Sequence, residues 1–506
     1  MKNLVPLILA FTFIGFYPVK KVSAQAYLFN KIFKPDTLNI GSPAIIATDN
    51  GYLIAQTYAA PNNFKSFGIR KANQYGETEW FKHLDLGQEE HLMIGGGVLS
   101  STQDGHYMLV GSKGAEPLVN GGNRDILMIK FDAEGNVFWK KTNGEPDRIE
   151  NAYHITPTQD GGYIMCGIQR SFTSSNRFYV LKTDALGNKE WDRVYNPLQH
   201  GSAFSIFETN SGFIVSGYMF NAASNYDMVI VKIDKYGDVI WQKFYGSNGS
   251  DTGCAISPDI EGNSILAIAS INDNNIKKPY IFSIDTLGNI LWQNIYEIET
   301  LAPQEAPILR TENGGFICMY AFKNQLNKND TRIFSFTSTG DTLWTRTIPG
   351  LNPADNWYLK DIASTPDGGF ILSGFNYSQQ SSWVVKTDSL GRTCSYIGCD
   401  STVVVEVIMP GIPFHSNSEV SAMVYPVPAS TQLNISYQIP ATILPSGGAL
   451  WRLYDALGRQ VAKEALHGGT GVAEVSVAHL PAGIYYYRVL LPTSGQAVAR
   501  GKVVVS

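Results

Sequence analysis

One design, about fifty residues long, recurs along most of this chain. Its clearest copy is Tyr179 to Tyr195, YVLKTDALGNKEWDRVY. An apolar strand runs into Lys182-Thr183-Asp184, the chain turns at Leu186-Gly187-Asn188, and a second strand carries Trp191. Lys130, Asp132, Gly135 and Trp139 form another copy, as do Lys232, Asp234, Gly237 and Trp241. Asp285, Gly288 and Trp292 form a further one; Gly76 with Trp80 and Gly340 with Trp344 are reduced copies. Lys386, Asp388 and Gly391 make a last copy without a Trp. Upstream of each lies a second signature, DGGYI at Asp160 to Ile164, which returns around Asp49, Asp104, Asn210, Glu261, Asn313 and Asp367. The tryptophans Trp80 to Trp344 stand 59, 52, 50, 51 and 52 residues apart, and the upstream signatures 55, 56, 50, 51, 52 and 54.

A fixed period of this length marks a solenoid, a propeller or an array. Val, Ile, Phe and Tyr fill short runs, and Gly, Asn and Asp separate them, so each period reads as four short strands. Four antiparallel strands per period is the blade of a β-propeller. One blade cannot bury both faces; stacking blades around an axis does so, and a large Trp can dock each on its neighbour. Seven upstream signatures predict seven blades over residues 25–399. The seventh lacks a fourth strand. Leu28 to Phe33 resembles Ile240 to Tyr245, and Phe29 precedes Trp80 by 51 residues, one period. Residues 27–34 are therefore expected to pair with the strand holding Val384, Val385 and Lys386, with Phe29 in the Trp position. Phe29, Trp80, Trp139, Trp191, Trp241, Trp292 and Trp344 are the expected blade-docking residues. The alternative is an open array of β-hairpins, which leaves strand edges unpaired.

Lys2, an apolar run from Leu4 to Phe16 and the small residues Val22-Ser23-Ala24 read as a secretory signal peptide over residues 1–24. A membrane anchor is the competing reading, but that run is short for a bilayer. No later stretch reaches transmembrane length. A net charge of −5 argues against nucleic acid as a partner. Cys166, Cys254 and Cys318 fall in apolar strands as buried thiols. Cys394 and Cys399 could close a small loop in an oxidising compartment; a zinc site lacks further ligands at suitable spacing.

From residue 400 to 421 the repeat gives way to a linker rich in Pro, Gly and polar residues. Residues 422–506 then alternate like a small Ig-like β-sandwich. Val424-Tyr425-Pro426-Val427-Pro428-Ala429, Leu453-Tyr454-Asp455-Ala456-Leu457-Gly458-Arg459, Leu480-Pro481-Ala482-Gly483-Ile484-Tyr485 and Gly501-Lys502-Val503-Val504-Val505 follow in order. Together they resemble the type A C-terminal sorting domain of type IX secretion, with Tyr425, Pro426, Pro428, Asp455, Gly458, Arg459, Pro481, Gly483 and Lys502 on its motifs. Val427 departs from the family, which usually has Asn there. The resemblance implies secretion machinery as a partner, and a secreted or outer-surface address in a Gram-negative bacterium. An adhesive Ig-like domain is the alternative. The propeller copies also resemble the tryptophan-docking motifs of quinoprotein propellers, a likeness that carries no cofactor site with it.

The turns TQDGG and TDALGN repeat and should be fixed by backbone geometry, whereas the loops on the opposite face differ in every blade and are free to bind. Glu90, His91, Glu150, His200, Asp251, Glu305, Asp355 and Trp357 precede or open first strands and are the candidates for the mouth of the channel. Carboxylates with His around an axis could orient a sugar or hold a cation, calcium being the one they suit. The bland reading is solvated loops. No nucleophile elbow, HExxH or Walker loop occurs. No catalytic residue or resident metal is assigned, and the sequence requires no cofactor. The sequence favours an extracellular module that binds a glycan or protein; the alternative is a glycan-cleaving or quinone-dependent enzyme on the same scaffold.

Overall fold

The computed structural model describes residues 28–34, 43–59, 65–85, 90–92, 98–114, 124–171, 174–196, 198–221, 225–296, 299–300, 307–350, 352, 354–376, 381–393, 403–405, 421–425, 429–439, 448–455, 459–467, 469–490 and 497–505. The expected signal peptide, Cys394 and Cys399 lie outside these residues. The chain divides into two compact units, residues 1–410 and 411–506.

The first unit is a seven-bladed β-propeller. Its regular blades are four-stranded antiparallel meanders. Blade three shows the plan: Ile149–Pro157, Tyr163–Arg170, Arg177–Thr183 and Lys189–Tyr195. Blade one begins at Ala44, blade four at Gly201, blade five at Thr252 and blade six at Ile308. Blade two splits its first strand into Glu90–Leu92 and Leu99–Ser101, both paired with Tyr107–Gly114. The first strands of successive blades lie against one another right round the ring, blade seven meeting blade one, so they form the inner wall. Middle strands are buried on both faces: all seven residues of Ser381–Thr387 are buried, whereas Val137–Asn143 has no buried residue.

Blade seven consists of Trp357–Ser364, Phe370–Asn376, Ser381–Thr387 and, from the other end of the chain, Phe29–Lys34. Phe29 stands opposite Lys386, Asn30 opposite Val385 and Lys31 opposite Val384. Trp191 and Trp241 stand opposite Lys182 and Lys232 in the same way, so Phe29 holds the register of the tryptophans. One detail departs from the sequence reading. Val403–Val405, expected in the linker, runs parallel to Phe29–Lys34 and gives blade seven a fifth strand. A run of three valines suits a strand, and the free edge beside it is a ready partner.

Aromatic docking runs round the ring. A methyl added to Gly187 would lie 2.8 Å from the Trp139 ring of the preceding blade, and φ there is +77°, so only glycine fits on both counts. Trp80 packs on Gly135, Trp191 on Gly237, Trp241 on Gly288, Trp292 on Gly340 and Trp344 on Gly391 in the same way, and Phe29 completes the circuit on Gly76. The repeated Asp closes the turn. Asp184 Oδ1 accepts the backbone N–H groups of Leu186 and Asn188 at 2.9 and 2.8 Å, and Asn188 Nδ2 donates to Oδ2 at 2.8 Å. Asp132, Asp234, Asp285 and Asp388 accept the equivalent backbone bonds. The Asp of the upstream signature pairs with the third-strand Lys: Lys182 with Asp160 at 2.8 Å, Lys386 with Asp367 at 2.9 Å and Lys130 with Asp104 at 2.6 Å. The repeated acids thus serve as turn and strand ties.

The second unit is a small Ig-like β-sandwich. Ser421–Tyr425, Gln432–Gln438 and Thr470–Ser476 form one sheet; Gln460–Leu466, Ala449–Tyr454, Gly483–Leu490 and Ala497–Val505 form the other. Alternate residues Leu433, Ile435 and Tyr437 meet Trp451, Leu453, Tyr487 and Val489 in one core. Asp455 accepts the Arg459 N–H and its Nε at 2.9 and 2.7 Å, the tie that Asp388 makes with Arg392.

The fifth strand gives a test of the boundary. Truncation after Pro410 should leave the propeller's cooperative melt unchanged. Truncation after Cys399 removes a short ladder and should cost about 1–3 kcal/mol, at roughly 1 kcal/mol per net hydrogen bond. Equal melts for the two truncations would show that Val403–Val405 contributes nothing to stability.

Candidate functional site

The two faces of the propeller are built differently. One carries the repeated turns just described. The other carries the loops between second and third strands and those between blades. On this face at blade five, Ser247, Asn248, Gly249, Asn272, Asp273 and Lys278 line an open cavity of about 550 Å³.

Of the candidates for the channel mouth, three are sealed. Glu150, Asp251 and Trp357 each show 0% of their surface. Asp251 accepts from Asn272 N at 2.7 Å, from Ser247 Oγ at 2.9 Å and from the Ser247 backbone N–H, which ties two loops together. Burial raises its carboxyl above the ordinary value against these bonds. Trp357 donates Nε1–H to Asn352 O at 2.8 Å and meets Trp383 edge-on at 5.1 Å. Glu150 accepts from Gln169 Nε2 at 3.0 Å, and burial pushes its carboxyl up to about 8. These groups hold loops and offer no surface to a ligand. Asp355 is half-buried and accepts from Asn352 Nδ2 at 3.2 Å. Glu90 and His91 pair with Gly114 and Lys113 through their backbones, and their side chains lie outside the described residues. Glu305 also lies outside them. Among the described residues, no three His, Cys, Asp or Glu side chains come together as a metal group.

His200 is half-buried and belongs to a constellation that the sequence reading missed. Its ring lies 6.0 Å from Tyr218 and 5.3 Å from Tyr226. Tyr226 also meets Phe220 at 5.1 Å, Tyr218 meets Phe204 at 5.5 Å, and Phe204 lies nearly parallel to Tyr153 of blade three at 5.5 Å. All six rings keep part of their surface exposed. Burial, with help from the Arg177 charge, holds the His200 imidazole below its usual value, so it is neutral at pH 7.

Backbone irregularity places the two innermost rings. The register of blade three slips between Ala152 and His154, that of blade four between Ala203 and Ser205, and that of blade seven between Leu359 and Asp361. The extra residues are Tyr153, Phe204 and Lys360. A β-bulge re-aims such a side chain, and bulges gather at functional edges. The second strand accommodates each bulge with a glycine: a methyl on Gly167, Gly217 or Gly374 would lie 1.9, 1.9 or 1.8 Å from the carbonyl oxygen of Asn151, Ser202 or Tyr358. The recurrence of Gly at this point of YIMCG, FIVSG and FILSG is the sequence signal that marks the bulges. Gly217→Ala should destabilise by about 1–3 kcal/mol, as overpacking does, and a denaturant melt checks it; a loss under 0.5 kcal/mol would mean that the bulge relaxes freely.

Residues 423–506 match the family model described as the secretion system C-terminal sorting domain. The C-terminal unit is a type IX sorting domain. No curated protein matches the chain. Among solved structures, the propeller is similar to the BP39L lectin from Burkholderia pseudomallei, at 8% identity over 70% of this chain and 98% of that one, with a TM-score of 0.46. An ulvan lyase of a polysaccharide lyase family gives 11%, 72%, 96% and 0.44 in the same order. A protein of unknown function from Dyadobacter fermentans gives 10%, 71%, 98% and 0.39. None of these likenesses bears on ligand or reaction. The sorting domain marks the chain as type IX cargo, a secreted or outer-surface protein. No helix among the described residues is long and apolar enough to cross a membrane.

Proposed function

We propose that the propeller is an extracellular binding module which recognises a glycan or a protein through the face that carries the variable loops. The observation behind this reading is the asymmetry of the faces. The repeated turn on one face is closed by its own side chain and Gly, Asp184 and Gly187 being the pattern, with Asn73 in blade one and Thr337 in blade six in place of the Asp. The opposite face has loops whose composition differs in every blade, an open cavity at blade five and the partly exposed ring of His200. A rigid scaffold that leaves one face free to diverge is how loop-borne recognition is commonly built. The sorting domain delivers that face to the outside of the cell.

The test measures binding of the full chain to an array of glycans and to an array of extracellular proteins. Asn248→Ala and His200→Ala on the loop face should weaken the bound species at least tenfold. Leu186→Ser and Leu287→Ser, exposed on the opposite face, should leave binding unchanged. The reverse pattern, or no binding on either array, would overturn the proposal. Shortened or oxidised glycan recovered from the incubation would establish the enzyme reading in its place.

A further inference from the structure

We infer that the aromatic wall of blades three and four is a carbohydrate subsite that stacks the rings of a neutral pyranose chain. This rests on the loop-face reading and narrows it to one ligand class and one place. The wall comprises Tyr153, Phe204, Tyr218, His200, Tyr226 and Phe220, in contact order. It starts on first strands, which line the inner wall, and ends at the loop after Phe220, so it joins the channel to the binding face.

Three features point to sugar. First, six neighbouring rings keep part of their surface open in a protein that buries Tyr58, Tyr179, Phe29, Phe33, Phe67 and Phe131 almost completely. Aromatic surface left open in this way can take the C–H face of a pyranose, while the Tyr hydroxyls and His200 supply polar tips. Second, two of the rings sit on β-bulges that require glycine opposite, an arrangement that disturbs the ladder and aims side chains. Third, the six rings themselves carry no charge at pH 7. Arg177, the cation whose charge His200 feels, donates through Nη1 to Ser175 Oγ at 2.7 Å and to the carbonyl oxygens of Ser175, Asn176 and Gln199. His200 itself is uncharged at pH 7. The six rings give an acidic polysaccharide no charge to pair with, Arg177 at their edge being tied through Nη1 to loop oxygens, and a neutral chain needs none.

The experiment titrates the full chain with hexasaccharides of β-1,4-linked glucose, mannose, xylose and N-acetylglucosamine, read by calorimetry and by saturation-transfer NMR. At least one should bind, with saturation on sugar C–H protons. Phe204→Ala and Tyr218→Ala should each weaken it tenfold or more, and Tyr218→Phe should hold it within threefold. A thermal melt of each variant confirms folding, and His200→Gln, which keeps a polar tip, serves if Phe204→Ala fails to fold. Binding that survives Tyr218→Ala and His200→Gln would overturn the wall while leaving the loop-face reading intact. Failure of all four sugars would overturn the inference outright. Failure of the sugars beside a protein partner lost on Asn248→Ala would show a protein-binding face instead. Preference for an acidic hexasaccharide would refute the neutral class.

Discussion

Phe29→Ala is expected to cost roughly 3–5 kcal/mol, the range for large aromatic truncations in a core. The Phe29 side chain is 0% exposed. It meets Tyr52 of blade one edge-on at 5.9 Å and covers Gly76, while its strand pairs with Ser381–Thr387 of blade seven. Its cluster therefore mixes Phe33, Ile371 and Val384 with Ile45, Tyr52 and Ile54, and so joins the first blade to the last. The residues around it add polar ties. Trp383 Nε1 donates to Asn30 Oδ1 at 2.6 Å, and Lys31 Nζ donates to Tyr75 O at 2.7 Å. The ring is also tied on its inner side, where Ile45 N–H donates to Asp361 Oδ2 at 2.9 Å. Deleting Phe29–Lys34 should thus leave the inner contact but expose the edge of Ser381–Thr387, with a lower melting temperature and concentration-dependent light scattering. A Phe29→Ala melt within 1 kcal/mol of the parent would show that closure does not depend on this ring.

The propeller was legible because its repeated parts are local. Asp184, Gly187 and Asn188 form a turn whose bonds span at most four residues, and a fifty-residue period carries that turn round the ring. Closure was legible from the one-period offset of Phe29. The site was less so. Glu150 and Asp251 read as polar loop residues, yet inter-blade packing buries both; no local pattern distinguishes a carboxylate that caps a buried loop from one that faces water. The aromatic wall depends on register. Tyr153 and Phe204 follow ordinary strand alternation until a bulge inserts one residue, which the first strand alone does not announce. The partner glycines, Gly167 and Gly217, carry that information one strand later. The run Val403–Val405 reads as strand-like, but its pairing was not legible, because its partner lies at the opposite end of the chain and no turn fixes the register.

The second large expected effect is on pH dependence, through Glu150. Its carboxyl is enclosed between blades two and three, near Asp125. Oε1 accepts from Gln169, and the Glu145 backbone N–H also bonds to the carboxyl group. Burial first, then the Asp125 charge, pushes the group from 4.5 to about 8, against the Gln169 bond. The folded state therefore holds a proton that the unfolded chain releases above pH 4.5. Stability from this group is complete below pH 4.5, falls as pH rises towards 8, and is flat beyond. At 1.36 kcal/mol per pKa unit the ceiling is roughly 5 kcal/mol, and any water reaching Oε2 reduces it. His154 acts in the opposite sense: burial lowers it to about 4, so stability falls as pH drops from 6.5 towards 4. Asp160 is held at about 2 despite its own desolvation, by Lys182, Thr158 and the Gly162 N–H, and loses its contribution only in acid below 4. The comparison that isolates Glu150 is Glu150→Gln, whose amide oxygen keeps the Gln169 bond and cannot titrate. Urea melts from pH 4.5 to 8.5 should show the variant gaining on the parent by about 2–5 kcal/mol across the window. Parallel curves for the two proteins would mean that Glu150 is ionised and solvated in the folded state.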